Sequence, residues 1–297
     1  MIRIRHRAAL LAIGALALAG VAAGLAQPSL SSAAHSAPEL PANPLLPNLG
    51  ALPPRDIDIV QVRVKNSVEK RLRFDTLMAN TGEGPLEVFP GGTGTTLCPT
   101  HASLPTQEAW QRVYIDNNSS GVFERTPTAT VPPDGSVDRF VGCMVLHPKH
   151  RHWHVEGFAA YRLYDVANNN LVASSEKVSF CMLDMERVPG AAVTVAAPYY
   201  ITCGRNATMG ISAGWADEYY SGLADQWIKI SGTQAETTGG DYCLVNIANI
   251  AANEPAPNRN GLIESDHSVA SNAAGVQITI SNNGTAVSSS GSVCSTP

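Results

Sequence analysis

Residues 147–164 have the sequence HPKHRHWHVEGFAAYRLY, and the first eight of them include four of the chain's eight histidines. The aromatic and other β-favouring residues of this segment predict a strand over most of residues 151–164. Because side chains alternate between the two faces of a strand, His150, His152 and His154 are expected on one face. Imidazole is a common protein ligand of copper and zinc, so this face is a candidate metal site.

The length of an extended strand restricts how these three histidines could share one ion. The outer two Cα atoms of a flat strand would be about 13 Å apart, whereas a metal–nitrogen bond is only about 2 Å long. The metal site therefore requires a twisted or bulged strand. The alternative is two ligands from this segment and a third from His101 or His267. A histidine cluster without a role is disfavoured by the regular spacing.

Outside this segment, the chain consists of short stretches with β-strand character. Residues 57–64 and 72–78 alternate between apolar and polar types, and residues 86–89 follow a turn containing Asn, Gly and Pro. Similar stretches continue to the end of the chain, and no clear amphipathic helix of useful length interrupts them. This pattern predicts an all-β fold, an antiparallel β-sandwich with long loops and few short helices.

The first 26 residues have the features of a secretion signal. Arginines at positions 3, 5 and 7 precede an apolar run of small residues from Ala8 to Ala26. A retained anchor is the alternative, since the run is near the lower length limit for a membrane span. Residues 27–54 are rich in Pro, Ala and Ser and are interpreted as a linker or extended lead-in. Residues 55–297 then form the main domain of a secreted, extracellular protein.

Cysteine content and charge restrict the compartment and the partners. The chain has six cysteines, an even number that predicts disulfides in a secreted protein, and six cysteines allow 15 pairings. The net charge is −5 with no basic patch, which argues against nucleic acid as a partner. No segment after the signal is apolar enough to span a membrane.

The histidine segment resembles a known family. The pattern H-x-x-H-x-H-W-H at residues 147–154, followed by an aromatic strand, is similar to the copper-binding segment of lysyl oxidases. The resemblance implies that His150, His152 and His154 bind copper. His147 matches a family histidine that is usually not a ligand. The LRF sequence at 72–74 and the NTG sequence at 80–82 also resemble an early strand and turn of that family.

Two further segments resemble the family's cofactor region. Residues 176–184, EKVSFCMLD, are similar to its K-A-S-F-C-L-E-D sequence, and GISAGWADEYY at 210–220 precedes QWIKI at 226–230 as in the family. The resemblance implies that Lys177 and Tyr219 combine into lysine tyrosylquinone, with Tyr220 as the alternative after a one-residue slip. On sequence alone, Lys177 would be a solvent-facing strand lysine, and both tyrosines would be core or turn residues.

A third site is implied near the C-terminus. Glu264, Asp266 and Asn272 resemble a family segment that helps to bind calcium, an ion that prefers oxygen ligands. The spacing from Asp266 to Asn272 is two residues longer than in the family. A solvated acidic loop is the alternative interpretation.

The resemblance implies a reaction. Residues 55–297 would be a lysyl oxidase-like catalytic domain of a secreted copper-dependent amine oxidase. It would convert primary amines or peptidyl lysine to aldehydes, consume O₂ and release H₂O₂ and ammonia. The catalytic base is unassigned, with Asp217, Asp165 and Glu156 near the motifs. The alanine-rich composition and the signal type suggest a bacterial source.

Two other functions compete with this interpretation. The spacing of His150, His152 and Glu156 fits the centre of a cupin motif, but Met144 and Leu163 occupy the positions of its flanking glycines. The other alternative is a secreted copper- or zinc-binding β protein without oxidase activity, in which Lys177 and Tyr219 are structural.

Overall fold

The structure, a computed structural model, describes most of the chain from residue 40 onward. The described ranges are 40–93, 97–98, 104–116, 135–147, 151–192, 195–204, 208–250, 261–266 and 268–294, with only the backbone described at 93, 176–180 and 269. The predicted signal segment, His101, His150 and His267 lie outside the described residues, as does the side chain of Lys177.

The described residues form two antiparallel sheets. The strands are β1 (Pro44–Leu45), β2 (Leu49–Ala51), β3 (Arg55–Val64), β4 (Ser67–Asn80), β5 (Leu86–Thr93), β6 (Thr106–Ile115), β7 (Ser136–Leu146), β8 (Trp153–Asp165), β9 (Leu171–Phe180), β10 (Glu186–Arg187), β11 (Met209–Ile211), β12 (Trp215–Tyr219), β13 (Trp227–Lys229), β14 (Gly240–Ala248), β15 (Ala273–Ile280) and β16 (Val287–Cys294). The larger sheet has ten strands in the order β11-β5-β6-β7-β8-β14-β15-β16, with β1 beside β6 and β9 beside β8. The smaller sheet has six strands in the order β10-β12-β4-β13, with β2 and β3 beside β4. The prediction of an all-β antiparallel fold is confirmed.

Helices are few and short, as predicted. The two in the described part of the chain, α1 (Gln234–Thr237) and α2 (Val269–Asn272), are four residues each. Neither has the length and apolar content needed to cross a membrane.

The two sheets pack through the long strand β4 and the histidine strand β8. Leu72 and Phe74 of β4 are fully buried, as the predicted alternation requires, whereas residues 74–80 are buried on both faces of the strand. The Phe74 ring meets the Tyr161 ring of β8 edge-on, with ring centres 5.0 Å apart. Thr76, also on β4, lies 3.2 Å from the Tyr161 hydroxyl. The side chains of β4 therefore fix the position of the strand that carries the histidine motif.

Part of the segment interpreted as a linker belongs to the folded sheets. Strand β1 pairs with β6, and β2 pairs with β4. Leu45 and Leu49 of these strands are buried. Strands of two and three residues are too short to show an alternating pattern in a sequence rich in proline, because their pairing partners lie far away in the chain. The tertiary contacts, rather than local propensity, hold these residues in extended form.

All six cysteines are in disulfides, which confirms the predicted bonding. The pairs are Cys98–Cys143, Cys181–Cys203 and Cys243–Cys294, and no free cysteine occurs among the described residues. Cys181 directly follows β9, so the second bond ties the strand of Lys177 to a later loop. Each bond restricts the unfolded chain, with a typical stabilisation of about 2–4 kcal/mol.

Asn80 gives a test of the turn after β4. Its Oδ1 accepts hydrogen bonds from the backbone of Asn48 and Gly82, and its Nδ2 donates to the carbonyls of Gly84 and Ile211, all at 2.9–3.0 Å. We expect Asn80→Asp to lower the free energy of unfolding by about 2–4 kcal/mol, since a carboxylate cannot donate to the two buried carbonyls. Urea denaturation measures this loss.

The matched control is Thr81→Ala, at an exposed position of the same turn. We expect it to change stability by less than about 0.5 kcal/mol. Equal midpoints for wild type and Asn80→Asp would contradict the role given to the Asn80 amide.

Candidate active site

A reversal of the chain between β7 and β8 shapes the histidine segment. Leu146 and Trp153 are the last pair of the β7–β8 ladder. Beyond them, the His147 amide donates to the His152 carbonyl at 3.0 Å, and the Arg151 amide donates to the His147 carbonyl at 2.8 Å. Arg151 has a left-handed backbone, with φ 62°. The predicted strand therefore begins at Trp153 rather than Arg151, because these turn bonds replace the ladder before it.

Three imidazoles form a cluster at this turn. The rings of His152 and His154 have centres 4.8 Å apart with a 33° tilt, and His147 stacks on His154 at 4.7 Å and 19°. His154 is the second residue of β8 and its side chain is buried, whereas His152, just before the strand, is half-buried. His152 therefore approaches His154 from the turn that precedes β8. His150 lies outside the described residues.

The rings of His152 and His154 have the donor type and the spacing of two ligands of one copper or zinc ion. Two imidazoles that bind one ion at about 2 Å, at roughly 90–110° to each other, have ring centres roughly 4.5–5 Å apart. The 4.8 Å between the rings of His152 and His154 lies within that range. The nearly parallel His147 ring packs against His154 as a stacking partner. Sequence reasoning gave His147 no role, since only the turn brings it onto His154.

A disulfide lies beside the imidazole cluster. A ring nitrogen of His152 and the sulfur atoms of Cys181 and Cys203 lie within 4.8 Å of one another. The two sulfurs are bonded to each other, so neither is a thiolate that could bind a metal. Only the imidazole of this group can serve as a ligand in the disulfide form. The proximity nevertheless fixes Cys181 next to the histidines.

Tyr219 reaches the same cysteine from the smaller sheet. Its hydroxyl lies 2.9 Å from the Cys181 carbonyl oxygen and also forms a hydrogen bond with Asp217 Oδ2. Tyr219 is buried at 7% exposure, whereas Tyr220 is 48% exposed. Of the two tyrosines left open by the sequence, Tyr219 is the one that faces the interior beside Cys181.

The backbone of Lys177 lies on the opposite sheet. In the β8–β9 ladder Lys177 is paired with Ala159, two residues before Tyr161. Tyr161 contacts Thr76 across the two sheets, and Thr76 is the register partner of Tyr219 in the β4–β12 ladder. The Tyr161–Thr76 contact therefore links the strands that carry Lys177 and Tyr219.

A closed ring of hydrogen bonds fixes that contact. The Tyr161 hydroxyl donates to Gln226 Oε1 at 3.0 Å, and Gln226 Nε2 donates to Thr76 Oγ1 at 3.0 Å. The Thr76 hydroxyl can then donate to the Tyr161 oxygen at 3.2 Å, so each of the three groups donates one hydrogen bond of the ring and accepts another. Sequence reasoning missed this ring. The signal for it was the glutamine of the QWIKI segment, whose partners are 65 and 150 residues away.

Burial raises the pKa of both interior tyrosines, Tyr161 and Tyr219. Removal from water raises the pKa of the Tyr219 phenol well above its usual value, and a negative charge on Asp217 would raise it further. Burial likewise raises the pKa of Tyr161, while its hydrogen bonds to Thr76 and Gln226 lower that pKa by a smaller amount. Neither phenol ionises without a partner that takes its proton.

The three base candidates lie in different places. Asp217 is buried and contacts the Tyr219 hydroxyl. Asp165, at the far end of β8, accepts from the Ala167 amide at 2.8 Å and from Gln234 Nε2 at 3.3 Å. Glu156 is half-buried in β8, two residues after His154. Only Asp217 of these three contacts the predicted cofactor tyrosine among the described contacts.

The residues of the predicted calcium site are partly brought together. Glu264 is buried and accepts from Asn272 Nδ2 at 2.7 Å, from Asn249 Nδ2 at 2.6 Å and from the Leu49 amide at 2.9 Å. Asp266 is exposed and accepts from the Ser268 amide at 3.1 Å. Glu264 thus links β2 to the loop before α2. The calcium assignment itself stays a prediction.

A family model built from known proteins matches the middle of the chain. The family model described as Lysyl oxidase matches residues 129–258. No curated protein sequence matches the chain. The matched range contains the histidine segment, Lys177 and Tyr219, while the predicted calcium residues lie beyond its end.

Tyr161 gives a pH test of this interior. Above pH 10.0, the usual tyrosine pKa, the unfolded chain loses the Tyr161 proton that the folded protein keeps. The contribution of the Tyr161 phenol to the free energy of unfolding is therefore complete below that pH. It falls by about 1.4 kcal/mol per pH unit as the pH rises towards the pKa that Tyr161 has in the folded protein. We expect the free energy of unfolding of Tyr161→Phe to fall less steeply with rising pH than that of wild type. Urea denaturation between about pH 9 and 11, where the loss begins, measures both slopes. Parallel pH profiles would contradict the assignment.

Proposed function

The chain carries a lysyl oxidase domain over residues 129–258, and on that premise we propose that it is a secreted copper-dependent amine oxidase. Membership of this family suggests an oxidoreductase. The proposed reaction converts primary amines or peptidyl lysine to aldehydes, consumes O₂ and releases H₂O₂ and ammonia. Its cofactor is lysine tyrosylquinone, formed from Lys177 and Tyr219.

One observation carries this proposal: the imidazole cluster and Tyr219 both meet Cys181. A His152 nitrogen lies within 4.8 Å of the Cys181 sulfur, and the Tyr219 hydroxyl lies 2.9 Å from the carbonyl oxygen of the same residue. A phenol can be oxidised by a bound metal and O₂ only where the two are close. The shared neighbour supports that closeness for residues more than 60 positions apart.

The residues proposed to hold copper are His150, His152 and His154. Copper bound there would supply, with O₂, the oxidation of the Tyr219 ring. The neutral imidazoles suit that ion, and the described pair has the required spacing. His147 supports His154 by stacking.

The chain's own groups position and protect the tyrosine. Tyr219 is held at its hydroxyl by Cys181 and Asp217 and is shielded from water. Lys177 must be neutral to act as a nucleophile, and burial or a nearby cation lowers a lysine pKa in that direction. The proteinaceous cofactor would then perform chemistry that no standard side chain provides.

The compartment and the second metal belong to the proposal as well. Three disulfides are consistent with an oxidising, extracellular environment. Calcium at Glu264, Asp266 and Asn272 is retained as a proposed second site. The imidazole cluster alone would also suit a copper- or zinc-binding protein without oxidase activity, and the experiments below separate these functions.

The first test is formation of the cofactor. We expect wild-type protein incubated with copper in air to stain as a quinone and to yield a Lys177–Tyr219 crosslinked peptide by mass spectrometry. Lys177→Ala and Tyr219→Phe should each lose the stain, the crosslink and amine-dependent peroxide release, since each removes one half of the cofactor.

The matched control is Tyr220→Phe, which changes the adjacent, exposed tyrosine and should retain all three signals. A crosslink to Tyr220 would transfer the assignment to that residue. Copper binding without any quinone would favour the metal-binding protein or the cupin-like enzyme.

The second test removes metal ligands. We expect His154→Ala to weaken copper binding by more than the ~10–100-fold that loss of an outer hydrogen-bonding partner costs, because a ligand bond is lost. Copper titration of the metal-free protein measures the affinity, and circular dichroism checks that the sheets remain. His147→Ala should have a smaller effect, as expected for a stacking partner. Unchanged copper affinity in His154→Ala would remove His154 from the ligand set.

A further inference from the structure

A buried carboxylate lies three residues after Cys181, outside the proposed metal ligands and the proposed cofactor. Asp184 is 6% exposed. It accepts hydrogen bonds from the backbone amides of Tyr199, Tyr200 and Ser212, at 2.8, 3.2 and 2.7 Å, and from the Ser212 hydroxyl at 2.7 Å. A carboxylate offers about as many acceptor positions as these donors fill. The side chain therefore joins the segment that follows β9 to two other segments of the chain at once.

The first of these segments runs through Tyr199 and Tyr200 to Cys203. The Asp184 amide donates to the Tyr200 carbonyl at 2.7 Å. Cys181 lies three residues before Asp184, and its disulfide partner lies three residues after Tyr200. The disulfide and this backbone bond therefore pair the two segments in the same antiparallel register. The carboxylate reinforces that register, because it accepts from the Tyr199 and Tyr200 amides.

The second segment leads to the proposed cofactor tyrosine. Ser212 follows β11 and precedes β12, the strand that carries Tyr219. The Ser212 carbonyl accepts from the Trp215 amide at 3.0 Å, which forms the turn into that strand. Because Asp184 binds both the amide and the hydroxyl of Ser212, the carboxylate fixes this turn relative to the segment of Cys181.

The two sides of the disulfide are held differently. The Cys181 side is also held by backbone hydrogen bonds to β11 and β12, made by Met182 and Met185 at 3.0 Å each. Cys181 is buried, whereas Cys203 is half-buried. Loss of the Asp184 bonds would therefore release chiefly the segment that carries Cys203.

We propose that Asp184 is a positioning residue of the candidate site. Its carboxylate holds the segment of Cys203 against the segment of Cys181. It thereby keeps the disulfide beside His152 and the Cys181 carbonyl at the Tyr219 hydroxyl. The role in cofactor formation rests on the proposed function, whereas the effect on the disulfide is a property of the metal-free protein.

The substitution Asp184→Asn tests this role with almost no change in shape. Asparagine replaces one acceptor oxygen by an NH₂ donor. In either orientation of the side-chain amide, at least one of the three backbone amides then loses its acceptor, and the register is weakened. Ser212→Ala is the milder variant, because it removes one hydroxyl donor and leaves the backbone donors in place.

The first measurement is the disulfide equilibrium of the metal-free protein. One dithiothreitol molecule reduces one protein disulfide to two thiols and becomes a cyclic disulfide, so that two electrons and two protons pass to the protein. Alkylation and mass spectrometry read each cysteine pair separately in graded ratios of reduced to oxidised dithiothreitol. We expect Asp184→Asn to favour the reduced Cys181–Cys203 pair by about tenfold over wild type, and Ser212→Ala by about two- to threefold.

The Cys243–Cys294 disulfide between β14 and β16 is the internal control and should keep its wild-type equilibrium. A loss of overall stability without a local role would shift both pairs alike. Urea denaturation verifies that each variant is folded under the conditions used.

The second measurement is the rate at which the Lys177–Tyr219 crosslink forms with copper in air. We expect Asp184→Asn to slow it by about tenfold or more, because reaction rates depend steeply on the placement of the reacting groups. Tyr242→Phe is the matched control. It removes the buried hydrogen bond from the Tyr242 hydroxyl to the Gly239 carbonyl and should keep the wild-type rate.

The outcomes separate the two proposals. A wild-type disulfide equilibrium in Asp184→Asn, or an equal shift of both cysteine pairs, overturns the positioning role. So does a shifted Cys181–Cys203 pair without slower crosslinking. If Asp184→Asn does not fold, the same criteria apply to Ser212→Ala. If wild type itself forms no crosslink, the amine oxidase proposal fails, and the disulfide equilibrium still decides whether Asp184 holds the register.

Discussion

The hydrogen-bonded ring of Tyr161, Gln226 and Thr76 joins the two sheets, and the rest of the site depends on it. Three polar groups are buried between apolar surfaces, and each is satisfied because the ring closes. Loss of any member would remove two of the three hydrogen bonds of the ring from the core, and a buried polar group that loses its partner costs more than the bond itself contributes. The apolar contact between Phe74 and Tyr161 holds the histidine strand against β4. The directional hydrogen bonds of the ring also fix the position of that strand along β4.

Cys181 is the second point on which the arrangement depends. Its side chain is held by the disulfide to Cys203 beside His152, and its carbonyl oxygen contacts the Tyr219 hydroxyl. Cys181 thus lies between the imidazole cluster and the tyrosine: its sulfur is near His152, and its carbonyl oxygen accepts from Tyr219. The disulfide has a local role here, since it fixes the loop end of β9 where both groups meet.

The sequence predicted the fold class, which is confirmed, and a resemblance to lysyl oxidases, which the family match over residues 129–258 supports. The predicted alternation matches the burial of β4 only at residues 72–74, because residues 74–80 are buried on both faces of the strand. The strands at 44–45 and 49–51 were not predicted, since two or three residues carry no periodicity. The start of β8 was placed two residues early, because turn bonds between His147, Arg151 and His152 are invisible to propensity.

The sequence by itself determined the histidine, lysine and tyrosine motifs. It also determined which types of donor atom are available to a metal. Residue type fixes what a side chain can bind or donate, and spacing along a strand fixes which faces it can reach. Only the tertiary structure decided that His147 stacks on His154, that Tyr219 rather than Tyr220 faces the interior, and that the Tyr219 hydroxyl contacts Asp217. These relations depend on contacts between sheets and across a turn, and such long-range contacts leave no local pattern in the chain.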